Sequence, residues 1–142
     1  MSTPNYVAGG NIYPSRFVKA STAADFRVLQ ATANDRIAGI SGIGTNYPPI
    51  VDPAITVNGY HAVAGQNCRV HGENDECLLE LGSGGVTRGG LLKSDADGKG
   101  VAVATSGTTK QFPGARALES GSEGDKIRVE VLVDRNEYPA LA

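Results

Sequence analysis

The chain has 142 residues, with 13 basic and 15 acidic side chains and a formal net charge of −2. This length fits one domain that can fold without disulfides or metals. The near-even charge argues against nucleic acid or an anionic membrane as a partner. No run of about 18 apolar residues is present, and the first residues lack the basic start and apolar stretch of a secretion signal. We therefore expect a protein made in a cytoplasm.

Residues 1–14 are polar and are interrupted by two prolines and two glycines. This composition predicts an extended N-terminal arm outside the domain, either frayed or docked on a neighbouring subunit. Tyrosine gives a large contact area at a small entropy cost. We therefore predict that Tyr6, Ile12 and Tyr13 form contacts with a neighbouring subunit or another protein.

Residues 15–135 are predicted to form a single β domain, followed by a tail at 136–142. The 19 glycines are nearly twice the ordinary share of about 7%, and they separate short apolar runs as turns do. Residues 127–133 alternate apolar and polar side chains, which is typical of a half-buried strand. The pattern predicts an all-β fold, a small antiparallel barrel or sandwich. The predicted strands are 17–19, 26–31, 37–43, 67–71, 76–81, 91–94, 101–105, 115–120 and 127–133.

The segment 44–60 contains three prolines and an Asn-Gly turn pair. Proline cannot donate to a β ladder, so the segment is predicted to be an exposed loop or a sheet edge. Its apolar residues either cover the end of a barrel or face a partner. The second part of the predicted contact set lies here: Tyr47, Pro48, Pro49 and Ile50.

A hairpin at 84–105, with its turn at Asp97-Gly98, organises the chain because the chain repeats it. Four short matches in the same order indicate two pseudo-repeated halves, at about 14–70 and 84–133. The period of about 60 to 70 residues is too long for a solenoid and suits two halves of one β domain. The matches pair 14–21 with 86–94, 27–33 with 100–106, 36–41 with 114–120, and 64–70 with 123–129. The first match allows one inserted residue and pairs Arg16 with Arg88.

Residues that could carry chemistry do not form a recognisable site. The spacing of His61, Cys68, His71 and Cys77 matches no common zinc motif, and without an export signal a disulfide is not expected. The segment 95–98 begins like a calcium loop but lacks the later acidic ligands. We predict no catalytic residue, no metal and no cofactor, and hence no enzyme.

The repeated unit resembles a known family. GVTRGGLLKSDADGKGVAVA at 85–104, ARALES at 115–120 and GDKIRV at 124–129 are similar to the capsid decoration (cement) proteins of tailed bacteriophages, formerly a domain of unknown function. The resemblance implies a compact β-barrel without catalysis that binds the outside of a shell. It also implies the major capsid protein and a second copy of the chain as partners, with a trimer favoured over a dimer.

Two functions follow as hypotheses. The first is a structural virion protein that binds the capsid exterior and stabilises it by bridging shell subunits. Near-neutral charge and proline-stiffened loops suit that role, because such loops lose little entropy on docking. The alternative is a β-barrel module that binds a ligand or glycan on a virion, such as a receptor-binding head. That alternative calls for surface tryptophans or a convergent polar pocket, and the chain has no tryptophan.

Overall fold

The computed structural model describes residues 5–22, 26–33, 35, 37–43, 60–72, 74–103 and 111–132. Across these ranges the regular elements are ten short strands, and no helix long and apolar enough to cross a membrane occurs among them. The strands are β1 Asn5–Ala8, β2 Phe17–Ala20, β3 Arg27–Gln30, β4 Gly39–Ser41, β5 Asn67–His71, β6 Glu76–Glu80, β7 Leu91–Ser94, β8 Gly100–Ala102, β9 Ala115–Ala117 and β10 Lys126–Val131.

The first five strands close into a barrel in the order β1-β3-β2-β4-β5, with β5 paired back to β1. The β1–β3 pairing is parallel and the other pairings are antiparallel. The last five strands form a sheet in the order β6-β10-β9-β7-β8. A single parallel bridge, Leu81 to Gly100, links its two outer strands. Closure protects strand edges that would otherwise be open to association.

The two sheets have the same circular order, so β1–β5 (the first half) correspond to β6–β10 (the second half). The registers agree as well: Phe17 faces Ile40 in the first half, as Leu91 faces Arg116 in the second. Two turn glycines also correspond, with φ of 87° at Gly65 and 88° at Gly124. The predicted all-β fold with two pseudo-repeated halves is confirmed.

Strand register corrects the predicted matches between the halves. The antiparallel bridges place Ile12 and Val86 at equivalent positions, with no insertion before β2 and β7. Arg16 therefore corresponds to Gly90, and Val28 to Gly100. The predicted matches of Arg16 with Arg88 and of Arg27 with Gly100 were shifted by two residues and by one. Small residues recur throughout both segments, so short sequence matches could not fix the offset.

The predicted N-terminal arm is wrong for residues 5–14. Val7 in β1 lies opposite Arg27 on one side and Asn67 on the other, so this segment completes the barrel. Ile12 bridges to Ala62 and is fully buried. The two glycines that suggested a flexible arm instead connect β1 to this buried bridge.

Two apolar clusters form the interior. The first cluster lies within the first barrel. The second cluster contains residues of both halves, so the two halves share it. The first contains Ala8, Ile12, Val18, Val28, Ala62, Cys68 and Val70. The second contains Phe17, Ala31, Ile37 and Ile40 from the first half with Leu79, Leu81, Leu92, Ala115, Ala117, Ile127, Val129 and Val131 from the second.

Ser15 is expected to be a site of strain. It is buried with a left-handed φ of 56°, and its hydroxyl has no hydrogen-bond partner among the described residues. The equivalent residue is Gly89, with φ of 89°. We expect Ser15→Gly to raise the free energy of unfolding by about 1 kcal/mol, because it removes both the backbone strain and the unpaired hydroxyl. Urea denaturation measures the change. The reverse substitution Gly89→Ser should cost only the backbone strain, because Gly89 is exposed and a hydroxyl there would be solvated. A destabilised Ser15→Gly would contradict this account.

Candidate contact surface at the seam of the two halves

The seam between the halves is formed by a three-residue segment of the first half. The Glu80 N–H donates to the Ser15 carbonyl at 2.9 Å, and the Phe17 N–H donates to the Gly98 carbonyl at 2.7 Å. Residues 15–17 thus lie between β6 and the β7–β8 hairpin of the second half. In the first barrel the residue equivalent to Glu80 is Val7, whose N–H donates to the Phe26 carbonyl at 2.8 Å.

Arg16 is the polar centre of this seam. It is 9% exposed, and its guanidinium donates to the Asp97 carbonyl at 2.9 Å and lies 3.5 Å from the Glu80 carboxylate. Lys99 lies 3.5 Å from the same carboxylate. The Gln30 amide donates to the Asp97 carbonyl at 2.9 Å. A buried cation is tolerated here because a carboxylate and a carbonyl face it.

An aromatic pair covers Arg16 on the outer side. The guanidinium carbon lies 4.9 Å from the ring centre of Tyr13, a cation–π distance. The Tyr13 and Tyr60 rings are 4.6 Å apart and tilted by 48°. A side-chain hydrogen bond with Tyr60 raises the pKa of Tyr13. The Tyr13 backbone is held as well, by the Gln30 side chain at 2.9 Å and by the Ser41 hydroxyl at 2.7 Å.

The exposed Ile43 and the half-buried His61 extend the surface beside this pair. Ile43 is 59% exposed and follows Gly42, whose carbonyl accepts the Ser15 N–H at 3.1 Å. The His61 N–H donates to the Ile12 carbonyl at 2.7 Å, next to Tyr13. We call these four residues the seam surface: Tyr13, Ile43, Tyr60 and His61. Two of them, Ile43 and Tyr60, flank segment 44–59 in the sequence.

The predicted contact residues are placed differently from one another. Tyr13 is exposed on the seam surface, with 37% of its area accessible. Tyr6 is half-buried in β1, opposite Cys68, against the first apolar cluster. Ile12 has no exposed surface, so its prediction as a contact residue is wrong. The other four predicted contacts lie outside the described residues: Tyr47, Pro48, Pro49 and Ile50.

Tyr60 and Arg16 were not among the predicted contact residues. Tyr60 follows the Asn58-Gly59 turn pair, which was a signal that it ends the loop. Its contact with Tyr13, however, depends on the pairing of residue 12 with residue 62. The burial of Arg16 depends on contacts with the second half, which no local sequence pattern indicates.

A groove of about 520 Å³ adjoins the seam surface on the other side of His61. The His61 Nε2 accepts the Arg69 N–H at 3.1 Å. Burial raises the pKa of the Cys77 thiol to about 12, with Asp75 adding to the effect, so this thiol is protonated at neutral pH. No cluster of three metal-ligating side chains is found in the described ranges. The groove is lined by Gly42, Ile43, His61, Arg69, His71, Glu76, Cys77 and Leu78.

His71 is expected to make stability depend on pH. Burial lowers its pKa, Arg69 and His61 lower it further, and Asp75 opposes them. Because the folded state binds its proton less readily than the unfolded chain, the protein should lose stability as pH falls below about 6.5, toward the lowered pKa. Melting temperatures between pH 7.5 and pH 5, taken for the native chain and His71→Gln, measure this. The variant should lose less stability over this range, and identical curves would contradict the prediction.

Comparison with known proteins gives one informative result. No protein-family model and no curated protein sequence matches this chain. Among solved structures, it is similar to the N base of the head fiber protein gp8.5 in bacteriophage phi29, with a TM-score of 0.58. The match covers 96% of this chain and 98% of that chain at 15% sequence identity. This chain and the N base therefore share a fold over nearly the whole of both compared chains.

Proposed function

We propose that this protein is a structural component of a bacteriophage virion that binds the outer surface of the capsid and stabilises it by bridging shell subunits. The observation that carries the proposal is the likeness, over nearly the whole chain, to the base of a phage head fiber protein. The sequence resemblance to phage decoration proteins supports the same role. The protein would be made in the host cytoplasm and would act on the capsid exterior without catalysis.

The seam surface is the proposed contact with the major capsid protein. Tyrosine and arginine are the residue types most enriched among residues that dominate interface energies. Here the Tyr13–Tyr60 pair is fixed over Arg16 before any partner binds. A preorganised surface loses little entropy on binding. Ile43 and Tyr60 flank segment 44–59 in the sequence, and its predicted contact residues are proposed to extend the same surface.

Repetition on a shell strengthens a modest contact. Each additional contact made by a homo-oligomer, for which a trimer is favoured and a dimer possible, becomes effectively intramolecular once the first has formed. A structural protein of this kind therefore needs no single strong site, which fits a small surface of two exposed side chains, Tyr13 and Ile43, and two half-buried ones, Tyr60 and His61. Neither nucleic acid nor membrane enters the proposal.

Co-sedimentation with empty capsids of the encoding virus tests this function. We expect the native protein to saturate the shells at a fixed ratio to the shell protein. The double variant Tyr13→Ala/Tyr60→Ala should bind the shells with an affinity lower by about tenfold or more. Lys126→Ala, an exposed change on β10, is the control and should bind like the native protein. An absence of saturable binding by the native protein would refute the function, and native-like binding by the double variant would refute the assignment of the surface.

The groove favours a second candidate, a ligand- or glycan-binding module on a virion. Its imidazoles and one guanidinium converge beside the apolar Leu78, an arrangement that suits a small polar ligand. A glycan array with the native chain and Arg69→Ala tests this candidate. Specific binding that the variant loses would favour it over shell binding, and an array without any bound glycan would remove it.

A further inference from the structure

The seam contains an internal docking site for a hairpin tip. The tip is Asp97-Gly98 of the second half, and the site is formed by Arg16, Phe17 and Gln30 of the first half. A Cβ at Gly98 would lie 3.0 Å from the Gln30 side chain and 3.1 Å from the Phe17 carbonyl. The site is therefore filled by its own side chains, and only a tip without a side chain fits.

The second half carries the equivalent site with smaller residues. Register places Gly90 at the position of Arg16 and Ala102 at the position of Gln30. Thr87 takes the position of Tyr13, since its neighbour Val86 is equivalent to Ile12. Together they line a groove of about 640 Å³ that is open to solvent. Its full lining is Gly84, Gly85, Val86, Thr87, Arg88, Gly90, Ala102 and Gly121.

The first half carries the equivalent tip with a larger residue. Because Val28 corresponds to Gly100, Phe26 corresponds to Gly98. Both have a left-handed φ, 57° at Phe26 and 78° at Gly98. Phe26 is 69% exposed, the most exposed large apolar side chain in the described part of the chain. The two tips and the two sites are thus complementary in size. Gly98, which has no side chain, docks on a site filled by large side chains, and Phe26, which has a large side chain, matches the open groove.

We propose that Phe26 of one copy inserts into the groove lined by Thr87, Gly90 and Ala102 of a second copy, so that the internal docking arrangement recurs between molecules. A second copy is the occupant because the internal interface supplies the geometry. Within one chain, the hairpin tip of the second half docks on the first half. Between copies, the same relation would dock the hairpin tip of one first half on the second half of the next copy. Such an interface joins two different surfaces, so it forms rings or filaments rather than symmetric pairs.

The chemistry of the groove suits an aromatic side chain. A buried phenylalanine removes about 150–250 Å² from solvent, and Arg88 in the lining can lie against the ring. Backbone contacts differ from those of the seam, because the Phe26 carbonyl already accepts the Val7 N–H at 2.8 Å. In the proposed interface the Phe26 side chain therefore makes the contact, whereas in the seam the Gly98 carbonyl makes it.

Sedimentation velocity of the purified full-length chain, from low to high micromolar concentration and without shells, tests the interface. We expect the native protein to associate with increasing concentration. Phe26→Ala should weaken association by about tenfold or more, and Ala102→Trp, which fills the groove from an exposed position, should do the same. Asn74→Ala is the matched control, since it changes another exposed residue with a left-handed φ of 70°.

Mixing the two variants separates a lost interface from a misfolded chain. Phe26→Ala keeps the groove and Ala102→Trp keeps the phenylalanine, so an equimolar mixture should form one-to-one dimers although each variant alone stays monomeric. A native chain that stays monomeric, a Phe26→Ala chain that associates like the native one, or a mixture without dimers would each overturn the proposal. This interface is an addition to shell binding and is measured without shells, so neither result decides the other.

Discussion

Phe17→Ala is expected to lower the free energy of unfolding by about 3–5 kcal/mol. The ring is fully buried, and it comes from the first half but lies in the apolar cluster of the second. Its removal would leave a cavity between Ile37, Ile40 and the residues of the second sheet. The flanking backbone bond to Gly98 limits how far this region can collapse to fill the space.

Urea denaturation followed by circular dichroism measures the loss for Phe17→Ala. Phe26→Ala, at low protein concentration, is the control, because Phe26 is largely exposed and its truncation should change stability by about 0.5 kcal/mol or less. Equal losses for the two variants would show that the second cluster does not depend on Phe17.

Gly39→Ala is expected to cost about 1–3 kcal/mol or more, through overpacking. A Cβ at Gly39 would collide with the His71 carbonyl oxygen and lie 2.5 Å from Val70 Cγ1 on the neighbouring strand. Backbone in a closed barrel cannot move aside as a flexible side chain can, so the β4–β5 pairing must distort. Residue 115, equivalent to Gly39 in the second half, is an alanine, which shows that the barrel position is crowded only in the first half.

Gly72→Ala is the matched control for Gly39→Ala. Nothing lies within 4 Å of a Cβ at Gly72, and its φ is not left-handed. Its change in unfolding free energy should therefore stay within about 0.5 kcal/mol. Thermal and urea denaturation of both variants measure the difference. A Gly39→Ala protein as stable as Gly72→Ala would mean that β4 and β5 are further apart than described.

The local parts of the fold were predictable from sequence because they depend on local signals. The Asp97-Gly98 turn and the alternating pattern from Ile127 follow from residue types at fixed short spacing, and both are found in the structure. Strand β1 was not predictable in this way. Its partners β3 and β5 lie far along the chain, and glycines next to it suggested an arm. The strand predicted at 37–43 is shorter in the structure, where it spans Gly39–Ser41.

The candidate surface was predictable only in part. Tyr13 was named as a contact from its residue type; it is exposed, and the contact stays a prediction. Ile12 was named by the same reasoning and is buried, because composition does not show which of two neighbouring apolar residues faces the core. The Tyr13–Tyr60 contact and the burial of Arg16 depend on distant chain segments meeting. Such contacts depend on the register of the strands, and the short sequence repeats predict that register with errors of one or two residues.

The sharing of one apolar cluster between the halves constrains how the chain can fold as it leaves the ribosome. The first barrel has all its strands once residue 71 has emerged. The second apolar cluster is nevertheless incomplete until β10, which ends at residue 131, has been synthesised. Until then the second-half residues that bury Phe17, Ile37 and Ile40 are not all present. The nascent chain therefore exposes an apolar face for the time needed to synthesise the second half, when association with other nascent chains competes with folding. Slower synthesis of the second half should increase that competition.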